Sequence, residues 1–432
     1  MTIQKKAAEA KNASIQLAAV PTHIKNSALK AIARALEAKK DQIISANQTD
    51  LTNAAKDNLA APLLKRLKFQ QDKITEAIEG LNSVIRLEDP VGVTSDALEL
   101  DKGLELFKVS SPIGVIGIVF ESRPDALVQI SSLCLKSGNA VMMKGGSEAA
   151  NTNRILADII SEAAIAAGIP KGWLALLEAR SDVANMLSME KFIDLIIPRG
   201  SNEFVKYIMD NTNIPVLGHA DGICHVYIDK LANIEMAINI AVDSKCQYVA
   251  VCNAAETLLV HKNIARKILP KMKAAFEKKG VEIRGCANTL KIIDVKAATK
   301  EDWQTEYLDL IISVKVVDTL DDAVNHINTF GSGHTDVIVT EDKARGIKFM
   351  DYVDSADVFF NCSSRFADGF RYGLGAEVGI STNKIHARGP VGLEGLMIYK
   401  WRLMGNGHVV SDYSGTNAKT FTHRVLDKKF NE

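Results

Sequence analysis

Several features that would place a chain in a special class are missing from this sequence. Lysine plus arginine and aspartate plus glutamate both number 52 among 432 residues, so no net field favours nucleic acid. The longest apolar runs, such as 113–120, reach strand length and fall far short of a membrane span. Residues 1–20 lack the apolar core of a secretory signal. We therefore expect a globular protein that binds neither nucleic acid nor membrane.

Cysteine is sparse, and it is not arranged as a metal site or a disulfide framework. The six cysteines are spread over residues 134–362, with no Cys-x-x-Cys and no His-x-x-x-His spacing. Scattered cysteines in a long chain favour reduced thiols and a cytoplasmic location. The missing spacings predict no bound metal. The dinucleotide fingerprint of three spaced glycines is absent as well.

The order of predicted elements indicates two α/β domains. Residues 3–88 have helical spacing of apolar residues, and 98–107 alternate about a glycine, which predicts a hairpin. From residue 113 short apolar strands alternate with helices, and this predicts mainly parallel sheets covered on both faces. A second alternation begins at 225, so the domains change near Gly218–Gly222. Strands are predicted at 113–120, 140–143, 173–177, 193–197, 214–217, 225–228, 256–260, 281–284, 308–317, 336–340 and 357–360.

The connection before strand 256–260 carries the best candidate for a nucleophile. Cys252 follows a predicted amphipathic helix at 234–243 and stands among small residues beside Asn253. A thiol in a connection is accessible in a way that a core thiol is not. The alternative is a buried cysteine that acts as a small apolar residue. Local sequence leaves both interpretations open.

Cys252 belongs to a series of segments that recur in a known family in the same order. They are Phe120-Glu-Ser-Arg-Pro-Asp125, Lys144-Gly-Gly, Pro198-Arg-Gly-Ser201, Cys224-His-Val-Tyr227, Ser244-Lys-Cys-Gln-Tyr, Val251-Cys-Asn-Ala-Ala-Glu-Thr-Leu-Leu-Val, Gly333-His-Thr-Asp336, Gly373-Leu-Gly-Ala-Glu-Val-Gly-Ile-Ser-Thr382 and His386-Ala-Arg-Gly-Pro-Val-Gly-Leu393. In these segments the chain resembles the gamma-glutamyl phosphate reductase family, within the aldehyde dehydrogenase superfamily.

The resemblance implies an aldehyde dehydrogenase-like fold with two α/β domains, mainly parallel sheets and an oligomerisation hairpin. Residues 1–222, with hairpin 97–110, would form the cofactor-binding domain, and 223–400 the catalytic domain. Residues 401–432 would supply a C-terminal oligomerisation strand and tail. The expected assembly is a homo-oligomer, with a possible functional association with a glutamate 5-kinase.

The resemblance also implies a reaction. Cys252 as thiolate would attack the γ-carbonyl of L-glutamyl 5-phosphate and expel phosphate, and NADPH would reduce the thioester to L-glutamate 5-semialdehyde. This is the second step of proline biosynthesis from glutamate. Asn253 and Asp125 are further catalytic candidates. Asp125 stands where many members carry Asn, and because a carboxylate cannot donate to an oxyanion, the backbone N–H of Cys252 takes more of that role.

Two strand ends are candidates for cofactor binding. At Arg199, Gly200 and Ser201 a strand turns into a helix whose exposed amides attract phosphate, although any such connection looks similar. The resemblance implies that Lys144 reaches the adenosine ribose, whereas the alternative from the residues alone is a surface lysine. Members of the superfamily that prefer NAD often carry a carboxylate three positions later, where this chain has Ser147, so the resemblance implies NADP rather than NAD. Glu377 is assigned to the cofactor by the resemblance alone.

The resemblance implies that four cations bind the substrate, and cations suit an acyl phosphate and an α-carboxylate. They are Arg123, Arg371, His386 and Arg388. The alternatives are a surface ion pair of Arg123 with Glu121 and a solvated linker over 369–395. Rival functions remain open: a reductase of another acyl phosphate or acyl thioester, or a non-catalytic binding protein. Residues 216–222 contain no glutamate to activate water, which favours a reductase over a hydrolytic dehydrogenase, although His219 or Asp221 could serve as a general base for water instead.

Overall fold

The computed structural model describes residues 2–59, 61–121, 123–179, 181–219 and 221–431, and it confirms the predicted fold class. The helices are α1 (Ile3–Leu17), α2 (Thr22–Ala38), α3 (Lys40–Lys56), α4 (Ala61–Leu67), α5 (Gln71–Arg86), α6 (Pro124–Lys136), α7 (Ala150–Ala166), α8 (Asp182–Leu187), α9 (Asn202–Asp210), α10 (Ile234–Cys246), α11 (Lys262–Glu277), α12 (Ala287–Leu290), α13 (Leu320–Phe330) and α14 (Lys343–Tyr352). The strands are β1 (Thr94–Asp101), β2 (Leu104–Pro112), β3 (Val115–Phe120), β4 (Ala140–Lys144), β5 (Leu174–Leu177), β6 (Leu195–Arg199), β7 (Cys224–Ile228), β8 (Ala255–His261), β9 (Glu282–Gly285), β10 (Lys296–Ala297), β11 (Ile311–Val317), β12 (Thr335–Val339), β13 (Asp357–Phe360), β14 (Gly379–Ser381), β15 (Gly389–Val391), β16 (Met397–Met404) and β17 (Arg424–Val425).

The first parallel sheet has the strand order β5-β4-β3-β6. Every residue of β3 and β4 is buried, because helices cover both faces and the sequence needs no polar alternation. Helices α2, α5, α6 and α7 pack on one another, and α1 contacts β4 and β5. The N-terminal helices therefore cover the sheet whose carboxyl edge carries Arg199 and Lys144.

The second parallel sheet has seven strands in the order β10-β9-β11-β8-β7-β12-β13. Its central strands β7, β8 and β12 are buried along their whole length. Strand β8 begins three residues after Cys252, so the candidate nucleophile lies at the amino edge of this sheet. Among the described residues no helix is both long and apolar enough to cross a membrane.

An antiparallel sheet of order β16-β2-β1-β17 contains the predicted hairpin. Its turn has Gly103 at φ 76°, the left-handed conformation that favours glycine. Strand β16 pairs Met397 with Pro112, and β17 pairs Val425 with Leu98. Phe430 packs against Phe107 with ring centroids 5.6 Å apart. The C-terminal residues thus fold back on the hairpin.

Two predicted strands are wrong in extent. Residues 214–217 form a single bridge, between Ile196 and Val216, because Pro215 has no N–H to continue a ladder. The strand predicted at 308–317 begins only at Ile311, since Leu308 has a φ of 51° and cannot be extended. The predicted helix 234–243 continues to Cys246.

Candidate active site

Cys252 lies in the short connection between α10 and β8, as the sequence predicts. The Ala254 N–H donates to the Val251 carbonyl at 3.1 Å, which turns the chain beneath the thiol. The backbone of Gly222 lies directly against the backbone of Cys252. Cys252 is half-buried, so its thiol is neither a core group nor freely exposed. It therefore sits where the segment entering β7 meets the connection before β8.

The surroundings of Cys252 disfavour a thiolate. Burial raises the pKa of the Cys252 thiol to about 12, and the Glu306 and Glu377 carboxylates act in the same direction. The Arg199 guanidinium opposes this shift. The thiol is therefore protonated near neutral pH, and nucleophilic attack requires a group that accepts its proton.

Two histidines stand beside Cys252. One ring nitrogen each of His219 and His334 and the Sγ of Cys252 lie within 4.8 Å of one another. Burial lowers the pKa of both imidazoles, so both rings are neutral at neutral pH. A neutral imidazole at this place can accept the thiol proton. Sequence reasoning treated His219 only as a possible base for water and did not single out His334, although His334 lies in a segment that carries the resemblance.

The side chain of Asn253 is used to hold a neighbouring loop. Its Nδ2 donates to the Ala367 carbonyl at 2.7 Å, and the Ser364 hydroxyl donates to the Asn253 carbonyl at 2.6 Å. Arg365, which sequence reasoning missed, is buried in this loop and donates from Nε to Gln247 Oε1 at 2.9 Å. These contacts support a positioning role for Asn253, whose catalytic role stays a prediction.

A buried ion pair fixes both ends of the Cys252 connection. Lys245 Nζ lies 2.6 Å from Glu256 Oε2, and both side chains are fully buried. Burial raises the pKa of Glu256 to about 7. Lys245 lies in the last turn of α10 and Glu256 lies in the first part of β8, so the pair ties together the two elements that flank Cys252. The pair lies within segments that the sequence comparison uses, but neither residue was assigned a role.

At the carboxyl edge of the first sheet, Arg123 and Asp125 pair with each other. Arg123 Nη2 lies 3.3 Å from Asp125 Oδ2, so the alternative pairing of Arg123 with Glu121 is wrong. Glu121 instead accepts a hydrogen bond from the Ser201 N–H at 3.1 Å and lies against Gly200. A carboxylate of the protein thus occupies the start of α9, where the sequence predicts a cofactor phosphate. That assignment of Gly200 and Ser201 stays a prediction.

Two other predicted cofactor contacts share the electrostatic surroundings of Cys252. Arg199 and Glu377 both act on the Cys252 thiol, in opposite directions. Glu377 Oε2 accepts from the Gly369 N–H at 2.7 Å, and the Arg199 guanidinium lies against the backbone of Gly379. Their assignment to the cofactor stays a prediction.

Lys144 is 7% exposed, so the alternative of a surface lysine is wrong. Its Nζ donates to the Gly145 carbonyl. Burial lowers the pKa of Lys144, while the Glu148 carboxylate acts against that shift. Ser147 is exposed, and Glu148 folds over the backbone of Gly146. A buried amine beside two glycines at a strand end is compatible with the predicted contact to a ribose. The sequence predicts no carboxylate near this amine because residue 147 is serine, but the neighbouring Glu148 supplies one.

The remaining predicted substrate cations have partners within the protein. Arg371 Nη1 lies 3.2 Å from Asp368, and a ring nitrogen of His386 donates to the Gly395 carbonyl at 2.8 Å. Arg388 donates to the carbonyl oxygen of Asp354 at 3.0 Å. These contacts order the loop over 369–395, which is therefore not a solvated linker.

Comparison with known proteins identifies the family of this chain. Residues 1–292 match the aldehyde dehydrogenase family. The chain is 64% identical over 430 residues to the gamma-glutamyl phosphate reductase of Acetivibrio thermocellus, with 100% of both chains covered. The crystal structure of gamma-glutamyl phosphate reductase from Thermotoga maritima superposes with a TM-score of 0.92 at 40% identity, covering 94% of this chain and 99% of that one. An acetylating aldehyde dehydrogenase from Geobacillus thermoglucosidasius has a TM-score of 0.63, covers 94% of this chain and 97% of that one, and at 17% identity shares the fold alone.

Proposed function

Because the chain belongs to the gamma-glutamyl phosphate reductase family of the aldehyde dehydrogenases, we propose that it reduces L-glutamyl 5-phosphate to L-glutamate 5-semialdehyde and releases phosphate. This is the second step of proline biosynthesis from glutamate, with NADPH as the reductant. One observation carries the proposal. A half-buried cysteine stands among two neutral imidazoles and an arginine, at the place in the chain where the family carries its nucleophile.

In the first half of the reaction, Cys252 forms a thioester. The Sγ of Cys252 attacks the γ-carbonyl carbon while its proton passes to the neutral imidazole of His219 or His334. The bond from the acyl carbon to the phosphate oxygen breaks, and phosphate leaves with its electron pair. Arg199 stabilises the negative charge that develops near the thiol.

In the second half, the thioester is reduced. The nicotinamide cofactor, when bound, would supply a hydride to the acyl carbon. Breaking the C–S bond then returns the electron pair to Sγ, and the imidazolium returns the proton. Lys144 and Ser147 would hold the adenosine ribose, while Arg199, Gly200, Ser201 and Glu377 would contact the rest of the cofactor. Arg123, Arg371, His386 and Arg388 are proposed to contact the substrate, with Asn253 and Asp125 supporting the acyl group.

We also propose a homo-oligomer that uses the hairpin sheet. Strand β16 exposes a row of large apolar side chains, which a single chain leaves uncovered. They are Ile398, Tyr399, Trp401, Leu403 and Met404. The catalytic domain of residues 223–400 and the cofactor domain of 1–222 are part of the same proposal, as are a cytoplasmic location and an association with a glutamate 5-kinase.

The proposal is tested by running the reaction backwards with purified protein. Glutamate 5-semialdehyde, NADP⁺ and phosphate should give reduced cofactor, followed by absorbance. Acetaldehyde with phosphate or coenzyme A serves as the competing pair. Faster reduction with the competing pair, or no reduction with any aldehyde, would overturn the assignment.

A further inference from the structure

Three donor atoms from distant parts of the chain meet at the active thiol. His219 follows β6, Cys252 precedes β8, and His334 directly precedes β12. One nitrogen from each ring and the Cys252 Sγ lie within 4.8 Å of one another, and the rings meet edge to face with centroids 4.8 Å apart. We refer to Cys252, His219 and His334 as the thiol–imidazole cluster.

Hydrogen bonding leaves a lone pair on His219 that can bind a cation. Its Nδ1 lies 2.9 Å from the Ile380 carbonyl oxygen. Because a carbonyl oxygen only accepts, Nδ1 carries the proton and Nε2 the lone pair. A backbone carbonyl that fixes the tautomer in this way is typical of histidines that bind metal ions.

His334 supplies a second, independent observation. It is completely buried, and its Nδ1 lies 2.7 Å from Thr335 Oγ1. Its Nε2 is buried and has no hydrogen-bond partner among the residues that the structure describes. Buried polar atoms in folded proteins nearly always have a partner, which can be a protein group, a water or an ion. A bound cation would satisfy this nitrogen.

We propose that the thiol–imidazole cluster binds Zn²⁺ and that the metal reversibly blocks the active thiol. One thiolate and two neutral imidazoles, with a fourth position left open, form a ligand set that zinc prefers. Bond lengths of about 2.0–2.3 Å place tetrahedral ligand atoms roughly 3.3–3.8 Å apart. The cluster therefore closes on the ion after about 1 Å of side-chain movement, which a rotation of the half-buried Cys252 supplies.

Binding involves no redox change. An S–Zn bond forms, the Cys252 S–H bond breaks, and its proton passes to the buffer. Zinc then holds the electron pair that would attack the acyl carbon. The blocking effect rests on the proposed role of Cys252 as nucleophile, whereas the binding of the metal does not. The cluster also explains why a search for short Cys and His spacings predicted no metal: its three ligands come from three separate segments.

The test measures binding and turnover separately. Purified chain is titrated with ZnCl₂ against a chromophoric chelator, and in parallel with CoCl₂, whose bond to a thiolate gives a charge-transfer absorption band. We expect one ion per chain, a cobalt–thiolate band, and loss of turnover that EDTA restores. Cys252→Ser should abolish the band. His219→Asn and His334→Asn should each weaken zinc binding by about 10–100-fold or more.

Cys286→Ser is the matched control, because Cys286 is another half-buried thiol. It follows the carboxyl end of β9, whereas Cys252 precedes the amino end of β8, so the two thiols lie at opposite edges of the second parallel sheet. It should leave the zinc affinity, the band and the turnover unchanged. Should His334→Asn fail to fold, the half-buried His219 gives the deciding variant. Unchanged zinc affinity in both Cys252→Ser and His219→Asn would overturn the proposal. A cobalt–thiolate band in a chain that does not oxidise the semialdehyde would uphold the metal site and reject the reductase assignment. Oxidation of the semialdehyde by a chain that binds no stoichiometric zinc would uphold the reductase assignment and reject the metal site.

Discussion

A Cβ atom at Gly222 would overlap both the carbonyl oxygen and the Cα of Cys252. Both neighbours are backbone atoms, which cannot turn aside as the end of a flexible side chain can. Any residue other than glycine at 222 therefore displaces the connection that carries Cys252. The segment entering β7 thus sets the position of Cys252 by close contact.

We expect Gly222→Ala to lower both stability and activity. The collision should cost about 1–3 kcal/mol in the free energy of unfolding, and a displacement of about 1 Å at the thiol should lower turnover by about 100-fold. Gly80→Ala is the control, since Gly80 lies in α5 and no atom of the described residues comes within 4 Å of its Cβ position. That change should stabilise the protein by about 0.5–1 kcal/mol. Urea unfolding and the reverse assay measure both, and a fully active Gly222→Ala protein would contradict the geometry.

Removal of the nucleophile should abolish turnover and spare cofactor binding. Cys252→Ala should reduce kcat by about 10³-fold or more, because covalent catalysis is lost while the binding surfaces remain. Cofactor affinity, followed by fluorescence of the reduced nicotinamide, should change little. Cys362→Ser, at another half-buried thiol, should retain activity. If Cys252→Ala remained active, the nucleophile would have to be sought elsewhere.

Cofactor preference should depend on the charges around Lys144. Ser147→Glu should shift preference from NADPH toward NADH by about 1–3 kcal/mol, because a new carboxylate repels the 2′-phosphate. Glu148→Gln should shift it the other way, since the Glu148 carboxylate already acts on Lys144. Ratios of kcat/KM for the two cofactors measure the effect. Glu162→Gln, an exposed change on α7, should leave the ratio unaltered. Equal ratios in the wild type and all three variants would show that Lys144 does not contact the cofactor.

The thioester should resist water, so the reverse reaction should require phosphate or arsenate. Residues 216–222 hold no glutamate, but Glu306 lies close enough to act on the Cys252 thiol, and burial raises its pKa. Glu306 could activate water at a low rate. Glu306→Gln should therefore remove any reduction of NADP⁺ seen without phosphate. Sustained phosphate-free turnover in the wild-type chain would indicate a hydrolytic dehydrogenase instead.

Acid should destabilise the fold through buried histidines. Burial lowers the pKa of His326 to about 2, well below its ordinary value of 6.5. Below pH 6.5 the unfolded chain binds a proton at this residue and the folded chain does not, so stability falls as the pH decreases from 6.5 and is constant above it. Between pH 6.5 and 5 the loss is about 2 kcal/mol. His326→Phe should reduce the difference in unfolding free energy between pH 7 and pH 5 by this amount. His23→Gln, at an exposed histidine, should not change it. An unchanged difference in His326→Phe would show that this imidazole takes up its proton in the folded state.

Local patterns predicted most of the fold because the signals are short-range. Strands β3, β4, β7 and β8 are apolar along their whole length, and a buried parallel strand needs no other pattern. The position of Cys252 in a connection was predicted on similar grounds. The predicted ends of two strands were wrong because a single residue determines where the strand stops. These residues are Pro215, which has no N–H, and Leu308, which has a positive φ.

The site itself was predicted only in part, because its contacts join distant residues. Nothing in the spacing of His219, Cys252 and His334 indicates that the three meet, since each is positioned by a different strand. The carboxylate of Glu121 at the start of α9 could not be foreseen either, because it depends on where β3 ends beside β6. Ion pairs and hydrogen bonds between distant elements can be identified only once the packing of those elements is known.

The pairing of Pro112 with Met397 and of Leu98 with Val425 has a consequence for synthesis. The hairpin of β1 and β2 leaves the ribosome early, but both strands that flank it are made last. Until then its two edges are unpaired, and open strand edges are the sites where chains join wrongly. A ribosome that stalls or a message that ends shortly before codon 397 would therefore release a chain whose two parallel sheets are complete and whose hairpin edges remain open to other nascent chains.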